Sequence, residues 1–155
     1  MKVRYDFVSN SSSSSFVIVG QVIDEENMEQ FLFNLIESNE ELKSEVNNLI
    51  GDYENVKDFV ENDNYGWQEI IWKIQDILNI EIISHGFDGD ISRVAVGINP
   101  KYGEFKLSDD ETFGQYKHRV IDYFKTKNIS LEYDKLKLIT GGSDASGLEF
   151  IESCG

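Results

Sequence analysis

The chain has 155 residues, the usual size of one domain, and its apolar fraction of 40% is enough to build a core. Its formal charge of −15 argues against binding nucleic acid through phosphate contacts and equally against anionic membranes, because both require a basic surface. The single cysteine, Cys154, allows no internal disulfide, and neither a signal segment nor an apolar run long enough to span a bilayer is evident. We therefore expect a cytoplasmic protein.

Two strands are predicted near the start of the chain. Residues 2–8 alternate apolar and polar side chains, which is typical of a half-buried strand. The apolar run Phe16–Val19 is typical of a central strand. The serine run Ser11–Ser15 lies between them, so we expect a strand pair bridged by a serine-rich loop.

Four helices follow in residues 24–79. Asp24 is a good N-cap, and the next apolar residues recur at helical spacing: Met28, Phe31, Leu32, Leu35 and Ile36. Similar apolar stripes predict further helices over Leu42–Ile50, Val56–Val60 and Trp67–Leu78.

The remaining elements alternate strands with one more helix. Strands are predicted at Ile80–Ser84 and Arg93–Ile98, separated by a turn at 86–90, and later at Lys135–Ile139 and Leu148–Ile151. A helix is predicted over Asp109–Lys127, with Ser108 and Glu111 forming a capping box at its start.

This order of elements predicts a single α+β domain over residues 1–155. We expect a mostly antiparallel sheet covered by helices, with the helical block 24–79 between the second and third strands.

Negative charge is concentrated in the helical block. Between Asp24 and Asn64 there are thirteen acids and two bases, so this segment carries −11 of the total −15. Such a block favours either an ordinary solvated helix face or a surface that docks on a basic partner. On the second interpretation the contact residues are Glu25, Glu29, Glu37, Glu40, Glu41 and Glu45.

Two loops offer hydroxyls and carboxylates to a small molecule or nucleotide. They are the serine run, with Ser11, Ser12 and Ser13, and the Gly/Ser loop 141–147, with Ser143 and Asp144. Neither matches a P-loop or a dinucleotide-binding fingerprint, so a structural role as connector or turn is favoured.

His85, Asp88 and Asp90 place one imidazole and two carboxylates within six residues. No second cluster completes a metal-ligand set, and a turn between strands explains the same residues, so we predict no metal. His118 lies between Lys117 and Arg119 and is interpreted as a surface residue. We expect that the protein is not an enzyme and binds no cofactor, because neither histidine has a motif partner for acid–base or nucleophilic catalysis.

Residues 2–16 are Lys2-Val3-Arg4-Tyr5-Asp6-Phe7-Val8-Ser9-Asn10, followed by Ser11–Ser15 and Phe16. This N-terminal string resembles a signature of small uncharacterised proteins of Firmicutes and their phages. The segment Ser108–Val120 is similar to another stretch of the same proteins. The resemblance implies a phage or mobile-element accessory protein acting in a bacterial host cell, and it assigns no chemistry to any residue.

Together these features favour an accessory protein that binds and inhibits a host protein with a basic surface, for example an antiviral defence component, through the acidic helices. The alternative is a small-molecule or nucleotide binder that uses the serine run and the 141–147 loop.

Overall fold

The computed structural model describes residues 15–63, 65–87, 90–144 and 147–153. Within these ranges, five strands form one antiparallel sheet in the order β2-β3-β1-β4-β5. Their bounds are Ser15–Ile23 (β1), Glu81–Phe87 (β2), Asp90–Ile98 (β3), Lys137–Asp144 (β4) and Gly147–Ser153 (β5). The strand predicted at 2–8 lies outside the described residues. The α+β prediction, with an antiparallel sheet and a helical block between β1 and β2, is confirmed.

The described part of the chain also contains five α-helices. They are Glu25–Ser38 (α1), Glu40–Ile50 (α2), Val56–Asn62 (α3), Gly66–Leu78 (α4) and Phe113–Lys125 (α5). Short 3-10 helices lie at Gly103–Phe105 and Tyr133–Lys135. None of the helices in the described ranges is long and apolar enough to cross a membrane.

Strand β1 lies at the centre of the sheet because both of its faces are apolar. Val19 joins the main core, which the sheet shares with the helices, and is 1% exposed. Ile18 points to the other face, where it forms a smaller buried cluster with Ile83, Ala95 and Ile139. Strands β2 and β5, at the two ends of the described strand order, also contact each other, so the sheet is strongly twisted and curved.

The helical layer is held by apolar stripes. Helix α1 contacts β1 and β3 and buries Met28, Leu32, Leu35 and Ile36. Helix α4 contacts β2, whereas α2 packs on α1 and α4. Asn39 separates α1 from α2, and its side chain accepts a hydrogen bond from the Leu42 N–H at 2.9 Å, which caps α2.

The predicted start of the last helix was wrong. Helix α5 begins at Phe113, and its capping box consists of Thr112 and Gln115: the Gln115 N–H donates to Thr112 at 3.0 Å and the Thr112 N–H donates to Gln115 at 2.9 Å. At Ser108 the chain forms a turn, in which the Glu111 N–H donates to the Ser108 carbonyl at 3.1 Å. The Glu111 carboxylate accepts the Ser108 N–H at 3.3 Å, as in the predicted box, and also binds Arg119 on the helix.

The predicted loop 141–147 is also corrected. Strand β4 continues through Asp144 and β5 begins at Gly147, with Gly141 opposite Phe150 and Gly142 opposite Glu149. The glycines remain extended because β1 and β5 pair with them from both sides. In the same way β2 and β3 extend into the turn predicted at 86–90, since β2 ends at Phe87 and β3 starts at Asp90.

Candidate functional surface

The six glutamates predicted to contact a partner lie on α1 and α2, opposite the apolar stripes of these helices. Glu25, Glu29, Glu37, Glu40 and Glu41 are exposed, and Glu45 is half-buried. We call these six residues the acidic surface. The sequence predicted their exposure because each of them falls outside the buried positions of its helix.

Part of this charge stabilises the helices that carry it. Glu25 lies in the first turn of α1, and Glu40 and Glu41 lie in the first turn of α2. Carboxylates at these positions interact favourably with the positive end of the helix dipole and with N–H groups that have no partner within the helix. Helix stability therefore explains why acids occur at these three positions, and their negative charge still faces solvent.

Two of the six glutamates have lysine partners. Glu37 lies 3.3 Å from the Lys43 ammonium, and Glu45 lies 3.3 Å from that of Lys73. Both pairs are well exposed, so each contributes little to stability. Glu25, Glu29, Glu40 and Glu41 make no ion pair with any lysine or arginine of the described residues.

Two exposed tyrosines on either side of α3 were missed by the sequence analysis. Tyr53 and Tyr65 flank α3 and are 36% and 64% exposed. Tyr53 packs edge-on against the buried Phe59, with the ring centroids 5.3 Å apart. Tyrosine is enriched in protein interfaces, because its ring is apolar and its hydroxyl is polar. The available signal was the position of both residues outside any apolar stripe, among the acids Asp52, Glu54, Asp58, Glu61 and Asp63.

The residues of the alternative ligand site are not brought together by the described structure. Ser11, Ser12 and Ser13 lie outside the described residues. Ser143 and Asp144 belong to β4, where they pair with Leu148 and Gly147 of β5, and their side chains are not among those described. This site stays a prediction.

The His85, Asp88 and Asp90 cluster is only partly described. His85 lies on β2 and Asp90 on β3, whereas Asp88 lies outside the described residues. Within the described ranges, no group of three or more His, Cys, Asp or Glu residues is placed to hold a metal ion. His118 is exposed, as predicted for a surface residue, and its ring centroid lies 4.8 Å from that of Tyr133.

An open cleft of about 440 Å³ lies beside α5. It is lined by Lys106, Ser108, Asp110, Glu111, Gln115 and Arg119. The Arg119 guanidinium binds the Glu111 carboxylate through two hydrogen bonds of 2.8 Å, and a further hydrogen bond of 3.0 Å runs to the Lys106 carbonyl. Its hydrogen bond to Glu111 lowers the pKa of that carboxyl and raises the pKa of Arg119. The guanidinium is thus neutralised by Glu111, which makes the cleft a poor site for an anion.

Comparison of the chain with protein-family models, with curated proteins and with solved structures finds no match.

Proposed function

We propose that this is a non-enzymatic protein-binding module of phage or mobile-element accessory type, which inhibits a host protein by covering a basic surface of it. The observation that carries the proposal is the segregation of charge. Residues 24–64 carry −11, and the acidic surface presents part of that charge to solvent on two adjacent helices.

Electrostatic complementarity is the physical basis of the proposal. A concentrated negative field raises the rate of association with a basic partner and disfavours acidic ones. Exposed aromatic rings then supply contact area with little loss of side-chain freedom, and Tyr53 and Tyr65 are such rings, within the acidic segment 24–64 and directly after it. The partner expected from this chemistry is a protein with a lysine- and arginine-rich face.

The test is affinity capture from a host lysate with two charge-reversed variants. The first carries Glu25→Lys, Glu29→Lys, Glu40→Lys and Glu41→Lys. The control carries four reversals at exposed acids outside residues 24–64: Asp76→Lys, Asp109→Lys, Asp122→Lys and Asp134→Lys. Both variants change the formal charge equally, so only the position of the charge differs between them.

We expect the first variant to lose the captured protein and the control to retain it. Captured proteins are identified by mass spectrometry, and the affinity of the purified pair is then measured at low and at physiological salt. Screening at the higher salt is expected to weaken binding between the acidic surface and a basic partner. Reversals in the first helical turns cost about 0.3–1 kcal/mol each, so circular dichroism is used to verify that both variants fold. Equal loss of binding in both variants would contradict a role for the acidic surface.

A further inference from the structure

The segment 99–111 follows β3 and leads to the N-cap of α5, and it lies at the surface of the fold. We call it the strap. Most of its side chains are exposed, and Phe105 is its half-buried apolar anchor. A segment with a single apolar anchor opens at much lower free energy than the core does.

Hydrogen bonds within the strap make it a compact unit. The Leu107 N–H donates to the Pro100 carbonyl at 2.8 Å, and the Lys106 N–H donates to the Gly103 carbonyl at 3.2 Å. The first of these bonds brings distant positions of the strap together, as in a compact surface loop. The strap therefore has the internal contacts to move as one piece.

Two residues of α5 hold the strap down. The Tyr116 hydroxyl donates to the Phe105 carbonyl, and Arg119 donates to the Lys106 carbonyl and to the Glu111 carboxylate. Arg119 also donates to the Glu104 carbonyl at 3.4 Å. Among the described residues, the hydrogen bonds that cross from the strap to α5 come from these two side chains. The Glu111 side chain is 12% exposed and the Arg119 side chain is 39% exposed, so the pair lies at the protein surface with the guanidinium open to water.

The strap covers aromatic residues of α5. The Tyr116 ring is fully buried, and the Tyr123 ring lies 4.4 Å from that of Phe105. The Arg119 guanidinium lies over the Phe105 and Tyr116 rings at 5.4 and 5.1 Å. The strap therefore lies against aromatic residues of α5, and none of its residues pairs with a strand of the described sheet.

We propose that the strap is a latched cover: it opens as a unit when Arg119 releases Glu111 and the strap carbonyls, and opening uncovers Tyr116 and Tyr123. The motion is independent of the acidic surface, which lies on α1 and α2.

Hydrogen exchange measured by mass spectrometry on the full chain tests the opening. In the wild type, we expect the strap amides to exchange faster than those of β1 and β3. Arg119→Ala removes the charge-assisted bonds and is expected to accelerate strap exchange by about tenfold or more, with β1 and β3 unchanged. Lys73→Ala breaks the exposed pair with Glu45 and serves as the control, with no change in the strap.

Strap amides that exchange only at the rate of global unfolding would overturn the proposal. So would an acceleration in Arg119→Ala that extends equally to the whole chain. Glu111→Gln is the second variant, because it keeps the size of the side chain and removes its charge, and it is expected to accelerate strap exchange in the same direction.

Nitration of tyrosine by tetranitromethane, mapped by peptide mass spectrometry, tests what the strap covers. We expect Tyr116 to react slowly in the wild type and faster in Arg119→Ala, in step with strap exchange. Tyr65, which is 64% exposed, is expected to react equally in both proteins. A strap that exchanges faster while Tyr116 stays unmodified would show that the strap is not its cover.

Discussion

The close approach of β1 and β3 predicts that replacing Gly97 with alanine destabilises the fold. Gly97 lies opposite Gly20, and a Cβ added at Gly97 would lie 2.2 Å from the Val19 carbonyl oxygen and 2.6 Å from the Gly20 Cα. Ordinary contacts of a Cβ begin at 3.4 Å, so Gly97→Ala falls short by about 1.2 Å. Both of these atoms are backbone atoms, so no side-chain rotation can relieve the overlap.

Relief requires β1 and β3 to move apart by about an ångström, which stretches their hydrogen bonds beyond the usual range. It also disturbs both cores, because Ile18 and Val19 on β1 lie on opposite faces of the sheet. Overpacking of a rigid site costs about 3 kcal/mol. For a chain of this size, that loss lowers the melting temperature by roughly 6–12 °C.

Thermal unfolding followed by circular dichroism measures this loss, with Gly114→Ala as the control. A Cβ at Gly114 would meet the Tyr133 hydroxyl at 2.9 Å, the far end of a half-exposed side chain that can rotate away. Alanine also favours a helix over glycine, so we expect this variant to lie within about 1 kcal/mol of the wild type. A melting temperature for Gly97→Ala equal to that of Gly114→Ala would refute the reasoning.

Two further predictions concern α5. Thr112→Ala removes the cap that accepts the Gln115 N–H, and we expect it to lower the free energy of unfolding in urea by about 1 kcal/mol. Ser108→Ala is expected to change this free energy by less than about 0.5 kcal/mol. A larger loss in Ser108→Ala than in Thr112→Ala would instead support the predicted capping box at Ser108. Burial raises the pKa of Tyr116 from 10.0 to about 12, so the folded state holds this proton more tightly than the unfolded chain does. The stability it contributes is present below pH 10 and is lost as the pH rises towards 12. Tyr116→Phe should therefore show a smaller fall in stability over that range, and an unchanged slope would contradict the assignment.

The sequence by itself determined the helices and their exposed faces. The predicted stripe Met28, Phe31, Leu32, Leu35 and Ile36 specifies α1 because helical periodicity is a local property; four of these residues are buried and Phe31 is half-buried. The same periodicity placed the glutamates of the acidic surface in solvent. Tyr53 and Tyr65 were missed, although both lie outside the apolar stripes and among acidic residues.

Only the tertiary structure decided the details that depend on distant partners. Arg119 binds Glu111 from eight residues away and so attaches the strap to α5, which begins at Phe113 and not at the predicted Asp109. Pairing with β1 and β5 extends Gly141 and Gly142 into a strand, although their local preference is for a loop. The physical reason is the same in each case: a distant ion pair, strand pairing and close backbone approach are interactions between segments, and a periodic pattern within one segment does not specify its partner.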